Sequence, residues 1–169
     1  NDVVIKNIQL GYLDGKKAIC NLKGNAYYIE PIGEDLFFSV LEKIPKKLIY
    51  QIGKSLNIQN LSYKRIMFEY IVPAIINTLK LKQDSTYEDV VIALLEVEAT
   101  RRNIDKLKIY RINEFIDEIN SFIPVPRYKK EKNRYKFNLK PIVPGTINEE
   151  LLEKLTFEMI KILKIDINL

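Results

Sequence analysis

The chain contains no histidine and no tryptophan, and Cys20 is its only cysteine. Those absences remove the Ser-His-Asp and Cys-His nucleophilic systems, the HExxH zinc site and every Cys/His metal cage assembled from one chain. Catalysis would have to use carboxylates, lysine, tyrosine or backbone groups. Glycine and proline are sparse, 6 and 7 residues, which argues against a linker or low-complexity chain. No apolar run is long enough to span a bilayer, and the first residues lack a signal-peptide pattern, so neither membrane insertion nor secretion is expected. One cysteine allows no intrachain disulfide, which fits a reducing cytoplasm. Alternation of Ala18, Cys20 and Leu22 places Cys20 as a small buried hydrophobe on a strand.

What is present describes a folded protein. The 169 residues are 47% hydrophobic and 29% charged, enough for one domain or two small ones, divided here as 1–81 and 82–169. The 26 Ile and 21 Lys resemble the composition of some thermophile proteins and of AT-rich genomes.

The fold class expected is α+β. Asp14-Gly15 and Lys23-Gly24-Asn25 are turn signals, predicting an N-terminal antiparallel β-meander over the first thirty residues. Helical spacing follows: Leu36, Phe37, Val40, Leu41 and Ile44, then Leu48, Ile49, Ile52 and Leu56 after Pro45. A long apolar helix is predicted from about Ser62 to Leu81, kinked or split at Pro73. Thr86 with Asp89 reads as a helix start, and the helix should reach Ala99 or beyond. Asn103 should cap a short helix over 103–107, followed by a helix with the stripe Ile112, Phe115, Ile116, Ile119 and Phe122. A basic β-hairpin is expected from Val125 to Pro141, and an amphipathic helix from Thr146 to Lys164 whose apolar face is a candidate dimer contact.

Familiar chemical motifs fail on inspection. Gly53-Lys54-Ser55 resembles the end of a phosphate-binding loop, but that loop requires glycine where Leu48 stands. Glu96 with Glu98, and Glu149 with Glu150, read as solvated helix faces rather than an acid/base pair. The expectation is a non-enzymatic protein with no catalytic residues, no metal and no cofactor.

Charge distribution is more informative than its total of +5. Arg127, Lys129, Lys130, Lys132, Arg134, Lys136 and Lys140, against Glu131 alone, put +6 on fourteen residues and leave −1 for the remainder. Tyr128, Tyr135 and Phe137 are interleaved, giving the mixture of cations and rings that tracks phosphates and stacks on bases. Arg101, Arg102, Lys106, Lys108 and Arg111 precede the segment and could extend the patch. DNA or RNA is therefore the expected partner, with a homodimer or protein partner as a further expectation and no membrane.

Two resemblances are carried by these residues. The order from Thr86 to Pro141, with Asn-Arg-Tyr-Lys-Phe-Asn-Leu as a returning strand, resembles a winged-helix DNA-binding domain. That implies a third helix in the major groove and a basic wing on phosphates. Its surface opposes this, since Glu114, Asp117 and Glu118 would face a phosphate-lined groove. The N-terminal half, through Tyr50-Gln51-Ile52-Gly53, is distantly similar to the V4R family, which implies a small-molecule-sensing or protein-interaction module with an apolar pocket.

Overall fold

In the computed structural model, which describes residues 2–121 and 145–167, the protein is mostly helical. The expected N-terminal meander is instead a single helix, α1 (Asp2–Cys20). Alternation over a few residues is compatible with both periods, and here the helical one prevails because it brings Leu10 and Leu13 toward the body. Cys20 is consequently exposed at the end of α1, not buried in a sheet. Asn21, in the left-handed conformation, stops the helix, and the Leu22 N–H closes onto the Lys17 carbonyl.

The described β structure is a two-stranded parallel sheet, β1 (Tyr28–Ile29) with β2 (Ile109–Tyr110), Tyr28 opposite Ile109 and Ile29 opposite Tyr110. Between them run α2 (Glu34–Lys43), α3 (Lys46–Ser55), a turn α4 (Tyr63–Arg65), a π-helical stretch Ile66–Ile71, α5 (Val72–Leu79) and α6 (Tyr87–Arg101). After β2 come α7 (Ile112–Ser121) and α8 (Glu149–Ile167). Pro73 does not split the long apolar segment. The helix widens before it, the Val72 N–H reaching Met67 rather than Phe68, which accommodates a residue with no N–H of its own.

Asn103 does not open a second helix. It adopts the left-handed conformation just past α6, and the Ile104 N–H returns to the Ala99 carbonyl, so it closes the helix before it. Residues 103–107 then lead into β2. The apolar face of α8, expected at a dimer contact, is inside the protein: Leu151, Leu152, Leu155, Met159, Ile160 and Leu163 are all buried. One hydrophobic core draws on α2 through α8, including Phe37, Ile49, Ile75, Leu94, Phe115 and Leu155.

At the centre lies α6, apolar all round along Val90, Val91, Ile92, Leu94 and Leu95 and packed against α2, α5, α7 and α8. Its start is the capping box anticipated at Thr86: the Thr86 hydroxyl accepts the Asp89 N–H, and Asp89 accepts the Thr86 N–H at 3.0 Å. Glu96 is not on a solvated face but 6% exposed, and its carboxylate accepts the N–H groups of Asn25, Ala26 and Tyr27 at 2.8–2.9 Å. Gly24 permits that approach. Its φ is +98°, and a Cβ there would lie 2.7 Å from the Glu96 carboxylate. Glu88, 4% exposed, accepts the Ile32 N–H at 2.8 Å and pairs with Lys23 at 3.7 Å. Gly53 has a different role: α3 rests against Ile66 so closely that a Cβ would meet its side chain at 3.0 Å.

Removing the acceptor at Glu96→Ala strands three inward N–H groups and should destabilise the protein by about 3–5 kcal/mol in urea unfolding, whereas Glu96→Gln, which keeps one acceptor oxygen, should cost clearly less. A loss below about 1 kcal/mol for Glu96→Ala would show that these N–H groups do not depend on the carboxylate. Burial acts to raise the Asp89 carboxyl, but Lys23 and the Thr86 N–H and hydroxyl outweigh it and hold the group below its ordinary 3.8. A lowered folded pKa contributes stability that is complete above 3.8 and lost as pH falls through the folded value. Lys23→Met should therefore reduce the acid-dependent part of the unfolding free energy below pH 4 or so, measured by denaturant titration across pH.

Candidate nucleic-acid interface

The basic residues divide by where they lie. Arg127, Tyr128, Lys129, Lys130, Lys132, Arg134, Lys136 and Lys140, and with them the expected hairpin, fall outside the described residues. The described residues on either side of this stretch are those up to Ser121, the end of α7, and those from Gly145 onward.

Both junctions are held by the core. On the outgoing side Ile116 and Ile119 are buried. On the returning side Ile147 is 1% exposed, its N–H donating to the buried Thr78 hydroxyl at 3.2 Å, and the Asn148 side chain caps α8 by accepting the Leu151 N–H at 2.9 Å.

Arg101 and Arg102, at the end of α6, grip these two junctions. Arg102 donates to the Ile119 carbonyl at 2.7 Å, and Arg101 donates to Glu149 at 2.8 Å and to Glu98 at 2.9 Å. They bind the helix ends that flank the basic segment in sequence, and their charge is shared with Glu98 and Glu149.

The other described candidates are also paired. Lys108 binds Glu118 and lies 4.4 Å from the Tyr110 ring centre. Arg111 faces Glu30 at 3.6 Å, and Lys106 lies over the Tyr27 ring. Glu118 also accepts from the Tyr110 hydroxyl at 3.2 Å; burial, followed by the negative charge of Glu118, pushes that hydroxyl well above the ordinary tyrosine range. Tyr110 belongs to a buried cluster with Tyr27 and Phe115, whose ring centres are 5.0–6.3 Å apart.

As expected, α7 buries Ile112, Phe115, Ile116 and Ile119, leaving Asn113, Glu114, Asp117 and Asn120 exposed; Phe122, the fifth residue of the expected stripe, lies outside the described residues. Its outer surface is acidic. Two open grooves lie between α3 and α8, of about 220 and 310 Å³, one lined by Leu48 and Phe157 and the other by Lys54 and Glu150. No group of His, Cys, Asp or Glu able to hold a metal occurs among the described residues, and no described helix is long and apolar enough to cross a membrane. No family model, curated protein or solved structure matches the chain.

Sequence reasoning missed the anchoring roles of Arg101, Arg102 and Glu96. One signal was available: Glu96 interrupts the run Val90 to Val97, and a carboxylate inside a continuous apolar stretch must find internal donors. The Arg101 and Arg102 contacts depend on which helix packs beside α6, which no local pattern encodes.

If the described cations are committed to the fold, Lys108→Ala and Arg111→Ala should each change nucleic-acid affinity by less than about threefold in fluorescence anisotropy, since removing a carboxylate-paired cation releases few counterions. Losses as large as those from substitutions at Lys129 or Lys130 would return these residues to the interface.

Proposed function

We propose that this protein is a non-enzymatic, cytoplasmic nucleic-acid-binding module in which a nearly neutral helical body supports a basic segment, residues 127–140, that contacts phosphates. The observation carrying this reading is the confinement of charge: +6 lies within those fourteen residues, and the rest of the chain sums to −1. The acidic surface of α7 favours recognition by the segment over insertion of that helix into a groove. Arg101 and Arg102 act as positioning residues that hold the segment's two junctions.

The module reads backbone more than base edges, since lysines and arginines with interleaved rings serve phosphates and stacking alike. Binding to duplex and single-stranded DNA and to RNA, followed by anisotropy, should weaken on the order of a thousandfold between ~50 and ~200 mM salt. Charge reversal at Lys129, Lys130 and Lys132 together should weaken binding to every sequence alike and flatten the salt dependence. Affinity that does not respond to salt would contradict the proposal.

A further inference from the structure

Helix α1 exposes an apolar stripe that the body does not cover. Ile5, Ile8, Tyr12 and Ile19 are 63%, 68%, 61% and 83% exposed. At 100° per residue these four fall within an arc of about 60°, turned away from Leu13 and Lys17; α1 meets the body through these two, through Gln9, which donates to the Leu107 carbonyl at 2.7 Å, and through Asp14, which accepts from the Tyr28 hydroxyl at 2.7 Å. Leu13 packs with Leu22 and Tyr28, and Lys17 donates to the Gly24 carbonyl at 2.5 Å. With Gly15, the stripe recurs at intervals of three, four, three and four residues, the spacing of a helix-pairing seam.

We infer that α1 pairs with α1 of a second copy of this chain as an antiparallel two-helix coil. The flanking residues favour this partner and orientation. In the antiparallel register that sets Ile8 against the second copy's Tyr12 and Ile5 against its Gly15, the seam spans residues 5–15 and Ile19 lies beyond the paired stretch. The row on one side of the seam then reads Asp2, Gln9, Lys16, so Asp2 of each copy meets Lys16 of the other. On the other side Gly11 meets Gly11 at the two-fold axis, where the absence of side chains lets the helices approach. A parallel pair would set Lys16 against Gly11 and leave both charges without partners. Two glycines cost about 1 kcal/mol each in a helix interior, so α1 gains from being covered. The buried area would be roughly 1,000 Å² in all, at the lower limit for a specific interface, which makes the dimer reversible and concentration-dependent.

The full chain in sedimentation equilibrium, without nucleic acid, should pass from monomer to dimer over the micromolar range, and Ile8→Glu should raise the dissociation constant by roughly 50-fold or more. Ile8 is exposed in the monomer, so circular dichroism of that variant should match the parent. Asp2→Lys and Lys16→Asp should each weaken the dimer, and the double swap should restore it. A spin label on Cys20 distinguishes orientation: twenty residues of offset along an antiparallel pair separate the two labels by roughly 30 Å, whereas a parallel pair brings them within about 20 Å. A monomer at every concentration, a short label distance, or binding of α1 to phosphatidylserine vesicles without self-association would overturn the inference.

Discussion

The rest of the fold depends on two buried carboxylates on one helix. Glu96 and Glu88 lie two turns apart on α6, and between them they collect the backbone N–H groups of residues 25–27 and 32. An extended segment lacking helical hydrogen bonds is thereby given acceptors inside the protein, where leaving them unmade would be costly. With its ends pinned, β1 lies alongside β2, and Tyr27 enters the aromatic cluster with Tyr110 and Phe115. The same segment carries the Gly24 carbonyl and Tyr28, which tether α1.

The other end of α6 serves the basic segment. Arg101 and Arg102 hold the last turn of α7 and the first turn of α8, which flank the basic segment in sequence, so a single central helix organises both the N-terminal segment and those two helix ends. Those arginines, with Lys108 and Arg111, are balanced by Glu98, Glu149, Glu118 and Glu30. Outside Arg127 to Lys140 the chain has 20 Lys and Arg against 21 Asp and Glu, so its cations have enough carboxylates to pair with, and those fourteen residues do not.

Local signals were legible wherever a single element settled them. The stripes of α2, α3 and α7, the Thr86 and Asp89 capping box and the helix start after Pro45 follow from spacing and capping chemistry alone. The N-terminal region was misread because Asp14-Gly15 suits a turn and Ala18, Cys20 and Leu22 alternate, while the competing helical stripe of Ile5, Ile8 and Tyr12 meets no part of the body that would identify it. Asn103 was assigned to the wrong helix because asparagine serves both as an N-cap and in the left-handed position past a helix end. For the site, the confinement of positive charge was readable from sequence, and so in principle was the pairing of Arg101 and Arg102 with Glu98 one turn earlier on α6; the partners Glu149 of Arg101, Glu118 of Lys108 and Glu30 of Arg111 were not, since they come from separately packed elements.

The central claim is that the basic segment, and not the surface of α7, meets nucleic acid. Hydrogen exchange measured with and without a saturating duplex tests it most directly. The account predicts added protection within residues 127–140 and none on the outer face of α7, at Asn113, Glu114, Asp117 and Asn120. Protection on that face with none in the segment would contradict it.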